Sequence, residues 1–235
     1  MVERWVQLSE LGGDAWILPV WTAVNQAAKA GRCPRLTKDL SELGLHISTR
    51  LTLLPRVVRR VNQGAHKLYA AVADRAPKHE FTRDSEGVAF SVDDDQKYEL
   101  LADLDSLLFE FHSACELMIR LFEQLHTLAG KAMPASGVGK SIQSVLKSAG
   151  EDPAWFAMLN TDRNFFIHEG APYVAVDVSK APEDYDLLIM KENLKIFEER
   201  DMFIKLSEIN GMVQGFRRSR SIVQSYLSRL FSREP

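Results

Sequence analysis

The spacing of apolar residues predicts a mainly helical chain. Between residues 96 and 129, apolar side chains recur in steps of three or four, which is the pattern of an amphipathic helix. Helix-forming residues also fill 15–30 and 47–73, where Pro19 and Pro55 come early enough to lie in a first turn or at a boundary. The apolar positions of the longest helix are Leu100, Leu104, Leu107, Phe111, Cys115, Met118, Phe122, Leu125 and Ala129.

The second half of the chain predicts a helix followed by a β-hairpin. A capping signal at Asp152 and an exit signal at Gly170 bound a helix over 153–169. The segments 173–178 and 187–190 are rich in strand-forming residues, and a turn containing Pro and Asp separates them. We therefore expect a small hairpin directly after this helix.

A helix over 198–231, with a weak point near Gly211 and Gly215, closes the pattern. We expect one domain over 1–235, because a compact domain can reach roughly 250 residues. Its expected parts are an N-terminal helical part at 1–75, a connector with a small strand or hairpin at 76–95, and a helical bundle at 96–232 that carries the hairpin at 173–190. The predicted fold class is mainly all-α.

The composition is that of a globular protein and excludes several functional classes. Hydrophobic residues make up 46% and charged residues 26%, which argues against a disordered chain. The two cysteines, Cys33 and Cys115, are too few for a disulfide framework or a cysteine-based zinc site. We expect neither a metal nor another cofactor. No apolar run spans a bilayer and the start does not resemble a signal peptide, so the expected setting is the cytoplasm, without a membrane partner.

Charge is distributed unevenly behind a net value of −3. The segments 47–73 and 209–233 each contain five basic residues and no acid, whereas 93–110 is strongly acidic. One interpretation is that these are solvated helix faces; the other is that the two basic segments form a phosphate-binding surface for RNA. The RNA-binding candidates are Arg56, Arg59, Arg60, Arg217, Arg218 and Arg220.

Two further patterns are weaker signals of function. The segment 137–141, Gly-Val-Gly-Lys-Ser, resembles part of a phosphate-binding loop, but Pro134 stands where the pattern requires Gly and no buried strand precedes it. A turn between helices is the better account. His112 and Glu116 are four residues apart and therefore adjacent on a helix, yet they do not complete a metal site. Their position beside the apolar stripe instead predicts that Glu116 points into a helix junction and needs a cationic partner.

The segment 162–170, Asp-Arg-Asn-Phe-Phe-Ile-His-Glu-Gly, carries the strongest chemical signal. A histidine exchanges protons near neutral pH, and an arginine offers a planar charged fork to a phosphate. An Arg and a His separated by four to six intervening residues resemble the signature motif of the HEPN superfamily, a helical group of RNases and RNA-associated proteins. The spacing alone occurs by chance, and it fits Arg59 or Arg60 with His66, Arg120 with His126, and Arg163 with His168.

Context favours the pair Arg163 and His168. Only Arg163 is followed by the polar residue that the family prefers, Asn164, and only His168 lies at the exit of a helix. The upstream segment 111–120 is similar to the HEPN helix in which a glutamate, here Glu116, faces the Arg-His segment. The resemblance covers roughly residues 96–230.

The resemblance implies an antiparallel HEPN-type bundle, here with additional N-terminal helices, and a metal-independent endoribonuclease acting as a toxin or defence effector. The expected products carry 2′,3′-cyclic phosphate and 5′-OH ends. His168 would transfer protons, Arg163 would bind the phosphate, Asn164 would position the substrate and Glu116 would hold Arg163. The alternative is a non-catalytic, HEPN-like regulatory protein that binds a nucleotide or a partner.

A homodimer is the expected active species. Arg163 and His168 are five residues apart, so they lie about 140° apart around a regular helix and do not easily reach one phosphate from one chain. A second copy would complete the site, in the manner that the resemblance implies, with Phe109 and Phe165 or Phe166 as subunit contacts. A cognate antitoxin or regulatory protein is a further expected partner.

Overall fold

A computed structural model describes residues 13–75, 82–84, 87–89, 94–168, 173–178, 184–190, 192 and 202–232 of the chain. Within these residues the fold is mainly helical, with two small antiparallel sheets, as predicted. After a 3-10 turn at Ala15–Ile17, the helices are α1 (Leu18–Lys29), α2 (Lys38–Arg75), α3 (Asp94–Ala129), α4 (Val138–Ser148), α5 (Ala154–His168) and α6 (Leu206–Leu230). No helix in the described ranges is both long and apolar enough to cross a membrane.

Helix α2 begins nine residues earlier than the 47–73 pattern predicts, because Thr37 provides a start signal: its Oγ1 accepts a hydrogen bond of 3.2 Å from the backbone N–H of Leu40. Pro55 does not mark a boundary either, and lies inside the helix. The proline is exposed, while Leu54 and Val57 on either side of it are buried in the core. Burial on both sides keeps the helix continuous despite the lost backbone hydrogen bond.

The predicted hairpin is present as β3 (Tyr173–Asp177) and β4 (Asp186–Met190), paired in antiparallel register from Tyr173 with Met190 to Asp177 with Asp186. A third strand, β5 (Phe203–Lys205), pairs with β4. The expectation that residues 203–205 are helical was wrong. Their hydrophobic side chains are buried at the sheet, and α6 begins only after them, at Leu206.

The connector contains the short strands β1 (Thr82–Asp84) and β2 (Gly87–Ala89), which form the second sheet and agree with the hairpin expected within 76–95. The remaining connector residues before Asp94 lie outside the described ranges, as do 198–201 of the predicted last helix. Helix α3 follows, close to its predicted bounds.

Helix α3 lies between the other helices and contributes the largest share of the core. Phe111 and Phe122 are fully buried, and α3 packs on α2, α4, α5 and α6. Between α5 and α6, Trp155 stacks on Phe111 and its Nε1 donates a hydrogen bond of 3.0 Å to Ser219 Oγ. This core fixes α5, which carries Arg163, against α3.

Candidate functional site

Four polar side chains meet where α5 packs on α3. Helix α3 contributes His112 and Glu116, and α5 contributes Asn160 and Arg163. His112 Nε2 lies 3.8 Å from Glu116 Oε1, within ion-pair range but beyond a hydrogen bond. The i, i+4 spacing on α3 and the i, i+3 spacing on α5 place each pair on one helix edge. We name this group the α3–α5 cluster.

The electrostatics of the α3–α5 cluster favour a neutral imidazole. Burial lowers the pKa of His112, the positive charge of Arg163 lowers it further, and Glu116 and Asn160 act in the opposite direction. His112 Nδ1 and Arg163 Nε are both shielded from solvent, and neither has a hydrogen-bond partner among the described residues. Two unsatisfied polar atoms at one helix junction are unusual, because buried polar groups are normally paired.

Glu116 is more exposed than the sequence suggests. About half of its side chain, 53%, is accessible, so it lies at the rim of the junction instead of within it. Its contact in the structure is with His112. Its assignment as the residue that holds Arg163 stays a prediction.

The other motif residues lie at the end of α5. Asn164 is exposed, and His168 is the last residue of the helix, with a side chain outside the described part of the structure. Phe165 is buried in the core and Phe166 is half-buried against it, so of the two aromatic residues expected at a subunit contact only Phe166 keeps an accessible side, and the contact itself stays a prediction. Phe109 on α3 remains largely exposed.

The six basic candidates divide into two groups. Arg60 pairs with Asp103 at 2.9 Å, Arg218 with Glu151 at 2.9 Å and Arg220 with Asp14 at 3.0 Å. Arg56, Arg59 and Arg217 are exposed and form no ion pair with the described residues. A guanidinium that already neutralises a carboxylate attracts a phosphate less strongly, so the second group is better suited to an anionic ligand.

The structure brings the two basic segments together but separates them from the motif. Arg59 and Arg60 of α2 and Arg217 of α6 line one open groove, whose wall on α3 includes Glu99 and Asp103. His112 follows Asp103 by nine residues, so it lies about 180° around α3 and about 14 Å further along its axis. The groove and the α3–α5 cluster are therefore on opposite edges of α3.

Two other sequence candidates have structural roles. His126 is buried, its Nε2 is 3.1 Å from Tyr226 Oη and its Nδ1 is 3.3 Å from the carbonyl oxygen of Lys131. The expected turn at 137–141 was wrong beyond Gly137, because α4 begins at Val138: Ser141 is fully buried and its hydroxyl donates a hydrogen bond of 2.9 Å to the carbonyl oxygen of Gly137. That bond fixes the first turn of α4, a helix whose bounds were not predicted from the sequence.

The sequence indicates that His112 and Glu116 form a pair, but it does not indicate that His112 lies near Arg163 and Asn160. The spacing of Asn160 and Arg163, one helical turn apart, indicates that they share an edge of α5, but tertiary packing decides which helix faces that edge. Among the described residues no group of three His, Cys, Asp or Glu side chains could hold a metal ion. Comparison with protein-family models, curated proteins and solved structures finds no match for this chain.

Proposed function

We propose that this chain is a metal-independent endoribonuclease of the HEPN type, with Arg163 and His168 as its catalytic residues. The observation that carries the proposal is the environment of Arg163. Its positive charge is close enough to His112 to lower the pKa of that imidazole, and its buried Nε has no hydrogen-bond partner in the described part of the chain. A cation held at a helix junction without a full set of partners suits a phosphate that gains negative charge in the transition state.

In the proposed reaction, the ribose 2′-OH attacks the adjacent phosphorus and the bond to the 5′-oxygen breaks. The 2′-OH loses a proton, the 5′-oxygen gains one, and the products carry a 2′,3′-cyclic phosphate and a 5′-OH. We assign proton transfer to His168, charge stabilisation to Arg163, substrate positioning to Asn164 and support of Arg163 to Glu116. Exposure of Asn164 is compatible with contact to a large substrate.

RNA contacts by the basic segments and a homodimeric active species belong to the same proposal. Arg56, Arg59 and Arg217 form no ion pair with the described residues, so they are better suited to phosphate contacts than Arg60, Arg218 and Arg220, which already form ion pairs. A cognate antitoxin or regulatory protein would cover the motif and stop cleavage.

The test is cleavage of RNA in the presence of EDTA by the wild type and by Arg163→Ala and His168→Ala. Each substitution should lower the cleavage rate by at least about 10²-fold, because each removes a charge stabiliser or a proton-transfer group. Arg120→Ala is the matched control, since it changes the arginine of a motif whose histidine is buried. Cleavage by both folded variants at the wild-type rate would rule out Arg163 and His168 as the site, and absence of cleavage by the wild type would make the non-catalytic regulatory function the better account.

A further inference from the structure

The groove beside α2 extends beyond its basic residues. A second depression begins where the first ends, and the two share Asn62, His66 and Ala70. The second is lined by Tyr69 of α2, by Tyr185 before β4 and by the start of α6. The two depressions adjoin along α2, and we name them together the α2 groove.

The lining of the α2 groove follows from the helical repeat. Arg59, His66 and Ala73 are spaced by seven residues and therefore lie on one face of α2. The alanines Ala70 and Ala73 leave room above the helix for a ligand. Arg59 and Tyr69 are ten residues apart, which corresponds to about 15 Å along the axis.

One end of the α2 groove is basic. Its charged lining consists of four cations and two carboxylates, so the local charge is +2: Arg59, Arg60, Lys67, Arg217, Glu99 and Asp103. Arg60 forms an ion pair with Asp103, whereas three other cations of the groove form none with the described residues: Arg59, Lys67 and Arg217. Arginine forks and a lysine ammonium are the groups that proteins use to bind phosphate.

The other end is aromatic, and its charged lining consists of two aspartates and one lysine, so the local charge is −1. His66, Tyr69 and Tyr185 form a row of rings, with centroids 5.8 Å and then 5.7 Å apart. Burial raises the pKa of Tyr69 to about 12, and the charge of Asp186 adds to the effect. Asp184, Asp186 and Lys205 line the same end, and the Asp186 carboxylate already accepts hydrogen bonds from the backbone N–H and the hydroxyl of Ser207, which leaves Asp184 as the better acceptor for a ligand. Rings of this kind stack on nucleobases, and carboxylates accept hydrogen bonds from ribose hydroxyls and from base N–H groups.

We propose that the α2 groove is a binding site for a nucleoside di- or triphosphate, with the phosphates at Arg59 and Arg217 and the base at Tyr69 and Tyr185. A nucleotide carries its negative charge at one end, which matches the separation of charge in the groove. The RNA contacts proposed above for Arg59 and Arg217 involve only the basic end, because an RNA strand that followed the whole groove would bring its phosphates to Asp184 and Asp186. The groove also lies across α3 from the α3–α5 cluster, so the proposal does not depend on the nuclease activity.

The test is isothermal titration of the full chain with ATP, GTP, ADP, AMP, adenosine, inorganic tripolyphosphate and a short single-stranded RNA. We expect at least one triphosphate to bind more tightly than its monophosphate or nucleoside. Arg59→Ala and Arg217→Ala should each weaken binding by at least about tenfold, the scale for loss of a charged hydrogen bond. Arg229→Ala is the matched control, because Arg229 is an exposed arginine of α6, the helix of Arg217, and lies outside the groove.

The aromatic end is tested by Tyr185→Ala, which should weaken nucleotide binding by about tenfold and leave tripolyphosphate binding unchanged. Tyr98→Ala, at an exposed tyrosine of α3, should change neither. The proposal is overturned if no nucleotide binds, if tripolyphosphate binds as tightly as the nucleotides, or if only the RNA binds. Arg163→Ala should bind nucleotide normally even if it abolishes cleavage, which separates this proposal from the nuclease.

Discussion

His112 makes the stability of the fold depend on pH. Because folding lowers the pKa of His112, the unfolded chain takes up a proton at a higher pH than the folded chain does. The free energy of unfolding should therefore fall as the pH drops below about 6.5, the ordinary histidine value, and continue to fall until the folded imidazole is protonated. Urea unfolding of the wild type and His112→Gln at several pH values measures this loss.

The difference between the two proteins isolates His112 from the other groups that titrate in the same range. His112→Gln should have a shallower dependence of unfolding free energy on pH than the wild type. His46→Gln, at an exposed histidine of α2, provides the matched control variant. Identical slopes in the wild type and His112→Gln would contradict the role of Arg163 and burial in disfavouring the imidazolium.

At the residue scale, the sequence predicted which helix carries a residue better than it predicted what surrounds that residue's side chain. Arg163 on a helix that ends at His168 followed from capping and exit signals, and the structure has that helix. The exposure of Glu116 and the pairing of Arg60, Arg218 and Arg220 with acids did not follow, since each depends on a residue far away in the chain. A helical wheel gives the direction of a side chain but not the element that faces it.

At the scale of elements, the packing of α5 on α6 depends on Gly215. A Cβ atom built on Gly215 would lie 2.7 Å from Cδ1 of Trp155, a ring held by its hydrogen bond to Ser219. Gly215→Ala should therefore lower the free energy of unfolding by about 1–3 kcal/mol, as overpacking of a core does. Chemical denaturation followed by circular dichroism measures this change.

Gly211 in the same helix provides the opposite case. It is exposed and a Cβ there would meet nothing within 4 Å, so Gly211→Ala should raise the free energy of unfolding by about 0.5–1 kcal/mol. Equal effects at the two positions would contradict the close approach of α5 and α6. The sequence marks both glycines as a weak point, but only the structure distinguishes the one required by packing.

The elements whose signals are local were predicted well, and those that depend on tertiary contacts were not. The repeat in α3 and the strand-forming residues of β3 and β4 are visible in the chain, and the structure has all three elements. Continuity of α2 through Pro55 depends on buried neighbours, and β5 depends on the edge of β4 that it joins. The helix predicted over 198–231 therefore wrongly included residues 203–205, which form β5.

At the scale of the whole molecule, exposed apolar side chains near the proposed nuclease site indicate an interface with a second subunit. Phe109 precedes His112 by one turn of α3, and 53% of its surface is accessible although the ring is large and apolar. Arg50 lies over this ring, 5.6 Å from its centroid. On α5, Met158 is also exposed. Exposed apolar side chains beside a functional site are typical of an interface.

We therefore expect the chain to be a homodimer at micromolar concentration, and Phe109→Glu to make it monomeric, because a charge at the centre of an apolar contact is costly to bury. Light scattering measures the mass, and RNA cleavage by the same samples should fall with loss of the dimer. Leu45→Glu is the matched control, since Leu45 is exposed on α2, away from the motif. A wild-type monomer that cleaves RNA at full rate would show that one chain supplies the whole site. Because a regular helix separates Arg163 and His168 by about 140°, these two residues would then have to meet by a distortion at the end of α5.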